Sequence, residues 1–207
     1  MIKIIVTFTK LVISVLFTLM MASCVFTGTS GDGNVTTKSR NVSGDFTKVA
    51  VNRGLDVVVI QSDSPSISVE ADSNLHEHIT TSIENGVLRI STNSSIANAE
   101  VLKITVHLPV ISGLETSGGS TITSENVLLS EAMTLSASSG SEIDVELESD
   151  KTIAEASSGS QITLRGKALS FEVSSSSGSE VDARKLLAND IIAQANSGRS
   201  ISSSNCS

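Results

Sequence analysis

From Phe46 onward the chain is a succession of short runs in which apolar and polar positions alternate or nearly alternate. They include Lys48-Val49-Ala50-Val51, Leu55-Asp56-Val57-Val58-Val59-Ile60, Ser66-Ile67-Ser68-Val69-Glu70-Ala71, Val87-Leu88-Arg89-Ile90-Ser91 and Leu102-Lys103-Ile104-Thr105-Val106-His107-Leu108, each bounded by Gly, Asn, Asp, Ser or Pro. A period of two places one set of side chains on each face of an extended chain. The runs are rich in β-branched residues, which suit that conformation, so each predicts a strand. Asn85-Gly86, between Ile83 and Val87, is the best hairpin signal in the chain, and a corner between strands would use the same pair.

Downstream one phrase recurs: Gly119-Ser120-Thr121-Ile122, Gly140-Ser141-Glu142-Ile143, Gly159-Ser160-Gln161-Ile162, Gly178-Ser179-Glu180-Val181 and Gly198-Arg199-Ser200-Ile201. The intervals between these glycines are 21, 19, 19 and 20 residues. A fixed period of this size marks a repeat architecture. Three positions after each glycine stands Ile122, Ile143, Ile162, Val181 or Ile201, all β-branched, as an inward column of stacked strands would prefer. Seven, five and three positions before the later glycines stand Met133, Leu135, Ala137; Thr152, Ala154, Ala156; Phe171, Val173, Ser175; and Ile191, Ala193, Ala195. The member nearest the corner is always small. An up-and-down series of hairpins would not stack identical residues, whereas a parallel β-helix with coils of about 20 residues, rising about 4.8 Å each, does so. The pairs Ser138-Ser139, Ser157-Ser158 and Ser176-Ser177, with Asn196-Ser197, either satisfy backbone groups at the corners or form a binding face, and turn chemistry favours the first.

The beginning of the chain reads differently. Lys3 and Lys10 precede and flank an apolar stretch from Leu11 to Met21, too short to span a bilayer, which takes about 20 residues. It ends in Met21-Ala22-Ser23-Cys24, which resembles the bacterial lipobox with Cys24 as the lipid acceptor. Residues 1–23 are therefore expected to be a lipoprotein signal peptide, 24–45, rich in Gly, Ser and Thr, a flexible tether, and 46–207 one domain whose regular repeats occupy 113–207. The second cysteine, Cys206, is left as a free thiol once Cys24 carries lipid.

Charge and composition narrow the partners. Cleavage removes Lys3 and Lys10 and no acid, so 14 basic and 22 acidic residues become 12 and 22, a formal charge of −10. Nucleic acid needs clustered cations with stacking aromatics. This chain has no Trp or Tyr, and only Phe26, Phe46 and Phe171 remain after cleavage.

Each candidate constellation has a plainer reading. His76-Glu77-His78 would put two imidazoles on one face of a strand, but His107, the remaining histidine, is remote, and a polar loop is the expectation. Glu142 with Asp144 and Glu180 with Asp182 flank core positions and point outward. The intervening coil carries Gln161 and Thr163, which separates the acids by two coils. No nucleophile elbow and no phosphate loop is present. The sequence predicts no catalytic, cofactor-binding or metal site, and one modification site, lipidation at Cys24.

In Arg40-Asn41-Val42-Ser43-Gly44-Asp45-Phe46-Thr47-Lys48-Val49, Val57-Val58-Val59-Ile60-Gln61, Gly86-Val87-Leu88-Arg89-Ile90, Thr105-Val106-His107-Leu108-Pro109 and the recurring Ser-Gly-Ser-x-Ile phrase, the chain resembles the putative auto-transporter adhesin, head GIN domain family of Bacteroidetes-type lipoproteins. The resemblance implies a right-handed parallel β-helix and a cell-envelope location; the lipid anchor is expected to sit in the outer membrane. The expected function is a non-enzymatic, lipid-anchored adhesin or binding module facing a glycan, a host surface or another envelope protein. The alternatives are a self-assembling envelope scaffold and a carbohydrate-active enzyme; the lack of Trp and Tyr platforms speaks against the enzyme. The absence of an acidic run after Cys24 favours a periplasm-facing domain. Family members usually continue through further coils, so a missing last coil and cap, with self-association through the C-terminal coil, is a further expectation.

Overall fold

The computed structural model describes Lys10, residues 28–41 and 43–196, and the backbone of 200–205. The remainder of the predicted signal segment, Cys24, Val42, Gly198, Arg199 and Cys206 lie outside the described residues. Sixteen strands follow in order: β1 (Thr29–Ser30), β2 (Val35–Ser39), β3 (Lys48–Val51), β4 (Asp56–Gln61), β5 (Ser66–Asp72), β6 (Ile79–Glu84), β7 (Val87–Thr92), β8 (Ile96–Asn98), β9 (Leu102–Leu108), β10 (Gly113–Thr116), β11 (Thr121–Ser124), β12 (Leu128–Ala137), β13 (Glu142–Ala156), β14 (Gln161–Ser176), β15 (Glu180–Asn196) and β16 (Ser200–Asn205).

From β10 onward the period of the sequence becomes the register of the sheet. Ile122, Ile143, Ile162, Val181 and Ile201 are consecutive partners in parallel pairs. Leu114, Leu135, Ala154, Val173 and Ala193 form a second such column. Both columns are buried as far as Val181 and Val173, and they belong to one core cluster. The long strands curl. β13 pairs with β11 through 142–144 and with β12 through 147–156, so one strand begins on one side of the core and ends on the other. Gly166 stands at this curl, with a φ of 108°.

The sheet continues into the first half of the domain and changes character. β3 lies parallel to β10 and β7, and β4 parallel to β11 and β9. Beyond them β5 runs antiparallel to both β9 and β2, and β6 antiparallel to β7. The path β2-β5-β9-β4-β11-β13-β12-β10-β3-β7-β6 ends in two strands that do not pair with each other. The right-handed parallel β-helix expected over 46–207 is therefore not the fold. The protein is all-β, but its sheet is a curled half-barrel that mixes parallel and antiparallel pairs. The physical reason is that the glycine period begins only at Gly119, while Asn85-Gly86 reverses the chain upstream. Their φ values of 53° and 75° make the two-residue turn, and Glu84 faces Val87 across it.

The expected tether, 24–45, also holds structure among its described residues. β1 pairs with β8, and β2 lies along β5. Buried Asp72 fastens this segment by accepting the Gly33 N–H at 2.6 Å and the Glu100 N–H at 2.8 Å.

Candidate binding surface

The repeated corners come first, because the serines there were candidates for a binding face. Ser139-Gly140, Ser158-Gly159 and Ser177-Gly178 each place two successive residues at positive φ, with serine at 53–56° and glycine at 70–73°. A serine in this region is uncommon. Here it is held by a ladder running from corner to corner: Gly119 N–H donates to Ser139 O at 3.2 Å, Gly140 N–H to Ser158 O at 3.0 Å, and Gly159 N–H to Ser177 O at 3.1 Å.

The hydroxyls that stitch the corners are those of the serines after the glycines. Ser160 Oγ accepts from Ser157 N–H at 3.0 Å and donates to Ala137 O at 2.8 Å. Ser179 Oγ accepts from Ser176 N–H at 3.1 Å and donates to Ala156 O at 2.8 Å. Ser141 Oγ accepts from Ser138 N–H and lies 3.0 Å from Thr116 O. All three are buried. Attention to the pair before each glycine missed them. The signal was present, since alternation back from Ile143, Ile162 and Val181 makes Ser141, Ser160 and Ser179 inward positions.

The histidines are not brought together. His76 is buried, with Nε2 3.0 Å from both Thr36 O and Thr36 Oγ1, so this nitrogen carries the proton; Nδ1 is buried without a partner. His78 Nδ1 lies 3.0 Å from Asn93 Oδ1, and His107 Nδ1 3.3 Å from Ser62 Oγ. Among the described residues no group of three His, Cys, Asp or Glu could hold a metal ion.

The acids of the repeat stand outward, and Asp144 and Asp182 have arginine partners. Glu142, Gln161 and Glu180 are consecutive in register, which separates the two glutamates by two strand spacings, about 9.6 Å. Asp144 meets Arg165 at 2.6 Å. Asp182 accepts from Arg184 Nε at 2.9 Å and from the Arg184 backbone N–H at 3.1 Å. The side-chain bonds from Arg184, followed by that backbone bond, hold the Asp182 carboxyl down at about 2.

A concavity lies where the chain passes from β2 to β3 over the ends of β5 and β9. It is a cleft of about 610 Å³ with Phe46, Ile67, Leu108 and Val110 among its apolar walls, beside Pro65 and Pro109. Arg40 lines it, donating through Nη2 to the His76 carbonyl at 2.5 Å, while its Nε is buried without a partner. Arg40 makes no ion pair among the described residues. Asp45 is in the same lining. Such a site joins apolar surface to a half-buried guanidinium. Sequence reasoning did not assemble it, because its walls come from separate segments that no motif connects.

Comparison with known proteins follows the fold. The model of one protein family, described as putative auto-transporter adhesin, head GIN domain, matches residues 45–203. A putative adhesin from Bacteroides fragilis NCTC 9343 superposes with a TM-score of 0.78 at 19% identity, covering 84% of this chain and 82% of that one. A putative adhesin from Parabacteroides merdae ATCC 43184 does so with 0.65 at 19% identity, again over 84% and 82%. A putative lipid binding protein from Parabacteroides distasonis ATCC 8503 reaches 0.58 at 20% identity, over 86% of this chain and 98% of that one. At these identities the likeness is one of fold, and the relatives share the curled half-barrel. None of the curated proteins compared with the chain matches it.

Proposed function

Because the chain belongs to the putative auto-transporter adhesin, head GIN domain family, we propose that it is a non-enzymatic binding module of the cell envelope, exported on residues 1–23, held by lipid on Cys24, and presenting its curled sheet to a macromolecular partner. The observation that carries the binding role is the cleft beside Arg40. It offers apolar walls and a guanidinium with no ion-pair partner among the described residues, so a glycan or protein group with an acceptor gains a charge-assisted bond there. The test is binding of the purified domain to glycan and envelope-protein arrays. A ligand whose binding falls at least tenfold in Arg40→Gln supports the reading, and turnover of a bound glycan would overturn it in favour of an enzyme.

The anchor is supported by the residue pattern ending at Cys24. Cys24→Ala is expected to move the full chain from the detergent to the aqueous phase in detergent partitioning while its circular dichroism is unchanged. Retention in the detergent phase would remove the lipid from the proposal.

A second reading, self-assembly through the last coil, is favoured by one feature. Ala193 and Ala195 continue the inward columns of Val173 and Ser175, yet both are exposed. Light scattering at rising concentration separates it from the first reading: a strictly monomeric chain would eliminate it.

A further inference from the structure

A second concavity lies at the curl of β12 to β15, and Gln61 Nε2 joins its edge to that of the Arg40 cleft by donating to Leu129 O and Pro109 O at 3.0 Å each. It is an open groove of about 730 Å³ running across the strands. Its floor is one register row of small residues, Ser130, Ser149 and Ala168. One wall is the preceding row, Leu129, Glu148, Lys167 and Leu187. The other is formed by the residues one place beyond the floor, Glu131, Asp150, Leu169 and Asn189. Three leucines stand in these walls at 57%, 55% and 47% exposure for Leu129, Leu169 and Leu187. Large apolar side chains gathered this way in one concavity mark an interaction site more than scattered ones do.

The charges select the occupant. Lys167 is paired with Glu148 at 3.4 Å. Glu131 and Asp150 are exposed on neighbouring strands and make no ion pair among the described residues. Like charges side by side across strands destabilise a sheet, and a cation placed between them reverses that cost. In this groove an anionic membrane, and the same acidic groove of a second copy, are both repelled.

We propose that this groove docks an extended, cationic and apolar segment of a partner protein, with leucine-sized side chains against Leu129, Leu169 and Leu187 and a lysine or arginine between Glu131 and Asp150. Three strand spacings make the groove about 14 Å long, which fits about four residues of extended chain at about 3.3 Å each. The groove shares no lining residue with the Arg40 cleft.

The probe is a fluorescent peptide of alternating lysine and leucine, with an alternating glutamate and leucine peptide as its counterpart, titrated with residues 28–207 and followed by polarisation. The lysine peptide is expected to bind and the glutamate peptide not to. The double variant Glu131→Gln/Asp150→Asn and the single variant Leu169→Ser should each weaken binding at least tenfold. Glu146→Gln, an exposed carboxylate outside the groove, should leave it within twofold. The double variant should also melt higher than the parent, because relief of like-charge repulsion stabilises the sheet whether or not a ligand is present. Equal binding of both peptides, equal weakening by Glu146→Gln, no binding of the lysine peptide, or preferential binding to anionic vesicles would each overturn the proposal.

Discussion

Between β10 and β16 a strand finds its partner one period along the chain, and between β2 and β9 it does not. In the first region identical or similar residues meet because the sequence repeats: Ile143 faces Ile162, and Val145 faces Leu164. Hydrogen bonds beyond the sheet are equally repetitive, with Ser160 and Ser179 performing the same task one coil apart. In the second region partners meet through hairpins and long jumps, although the two inward columns run on into it, from Ile122 through Val57 to Ile104 and from Leu114 through Val49 to Leu88. That region shares the one apolar core and is held by individual ties besides. Asp72 binds two distant N–H groups, His76 binds Thr36 across 40 positions, and Arg53 Nη1 donates to Thr92 O at 2.8 Å. A repeat distributes stability over many equivalent small contacts; a non-repeating sheet edge concentrates it in a few polar groups whose loss leaves buried donors unsatisfied.

The largest expected effect breaks the repeat where it curls. A Cβ on Gly166 would sit 2.0 Å from Leu147 O, and φ there is 108°. Gly166→Ala combines backbone strain with overpacking and should cost about 4 kcal/mol. Gly140→Ala, at a φ of 70° but with nothing within 4 Å of the added atom, should cost only about 1–2 kcal/mol. Urea midpoints at unchanged slope measure both, and equal shifts would show that the curl is not tightly packed.

Next comes the inward column. Ile162→Ala should cost about 2–5 kcal/mol as a truncation in a packed core, against less than about 0.5 kcal/mol for its exposed neighbour Gln161→Ala. Similar midpoints for the two would mean that the faces of β14 are reversed.

In the non-repeating region Asp72→Ala leaves the N–H groups of Gly33 and Glu100 without their acceptor, at a cost of about 1–3 kcal/mol. Hydrogen exchange should quicken in β1 and β2 while β13 to β15 stay protected. Uniform loss of protection would show that the two regions unfold as one unit.

The smallest effect is electrostatic. The Asp182 carboxyl, held at about 2 against an ordinary 3.8, adds stability that is fully present above about pH 4 and is lost as pH falls toward 2. Arg184 is largely exposed, so the contribution is under about 1 kcal/mol. Asp182→Asn should flatten the acid limb of stability between pH 4 and 2 by that amount, and an unchanged limb would show that the pair is formed equally in the unfolded chain.

Strand positions were legible because alternation is a local property. Lys48–Val51 and Leu102–Leu108 agree end for end with the predicted runs, and the Asn85-Gly86 turn was named from two residues. Sheet architecture was legible only in part. The column from Ile122 to Ile201 follows from counting, but a repeat that begins at Gly119 carries no information about β2, β5 and β6, and extending it upstream led to the wrong fold. The clefts were not legible at all. Arg40 and Val110 lie 70 positions apart with no shared motif, and the groove at the curl depends on which residues a bend turns outward.

What this sequence determines by itself is therefore what a residue and its near neighbours decide: extended conformation from alternation, the two-residue turns from Asn-Gly and Ser-Gly, and register wherever a period of about 20 residues makes each strand resemble the next. Tertiary structure alone decided that the parallel body is completed by antiparallel strands into an open half-barrel, that Asp72 ties β1 and β2 to the sheet, and that Glu131 and Asp150 stand side by side between exposed leucines. The physical reason is range. Alternation and turn chemistry act over two to four positions and can be read along the chain, whereas the partner of a non-repeating strand is chosen by burial against residues tens of positions away.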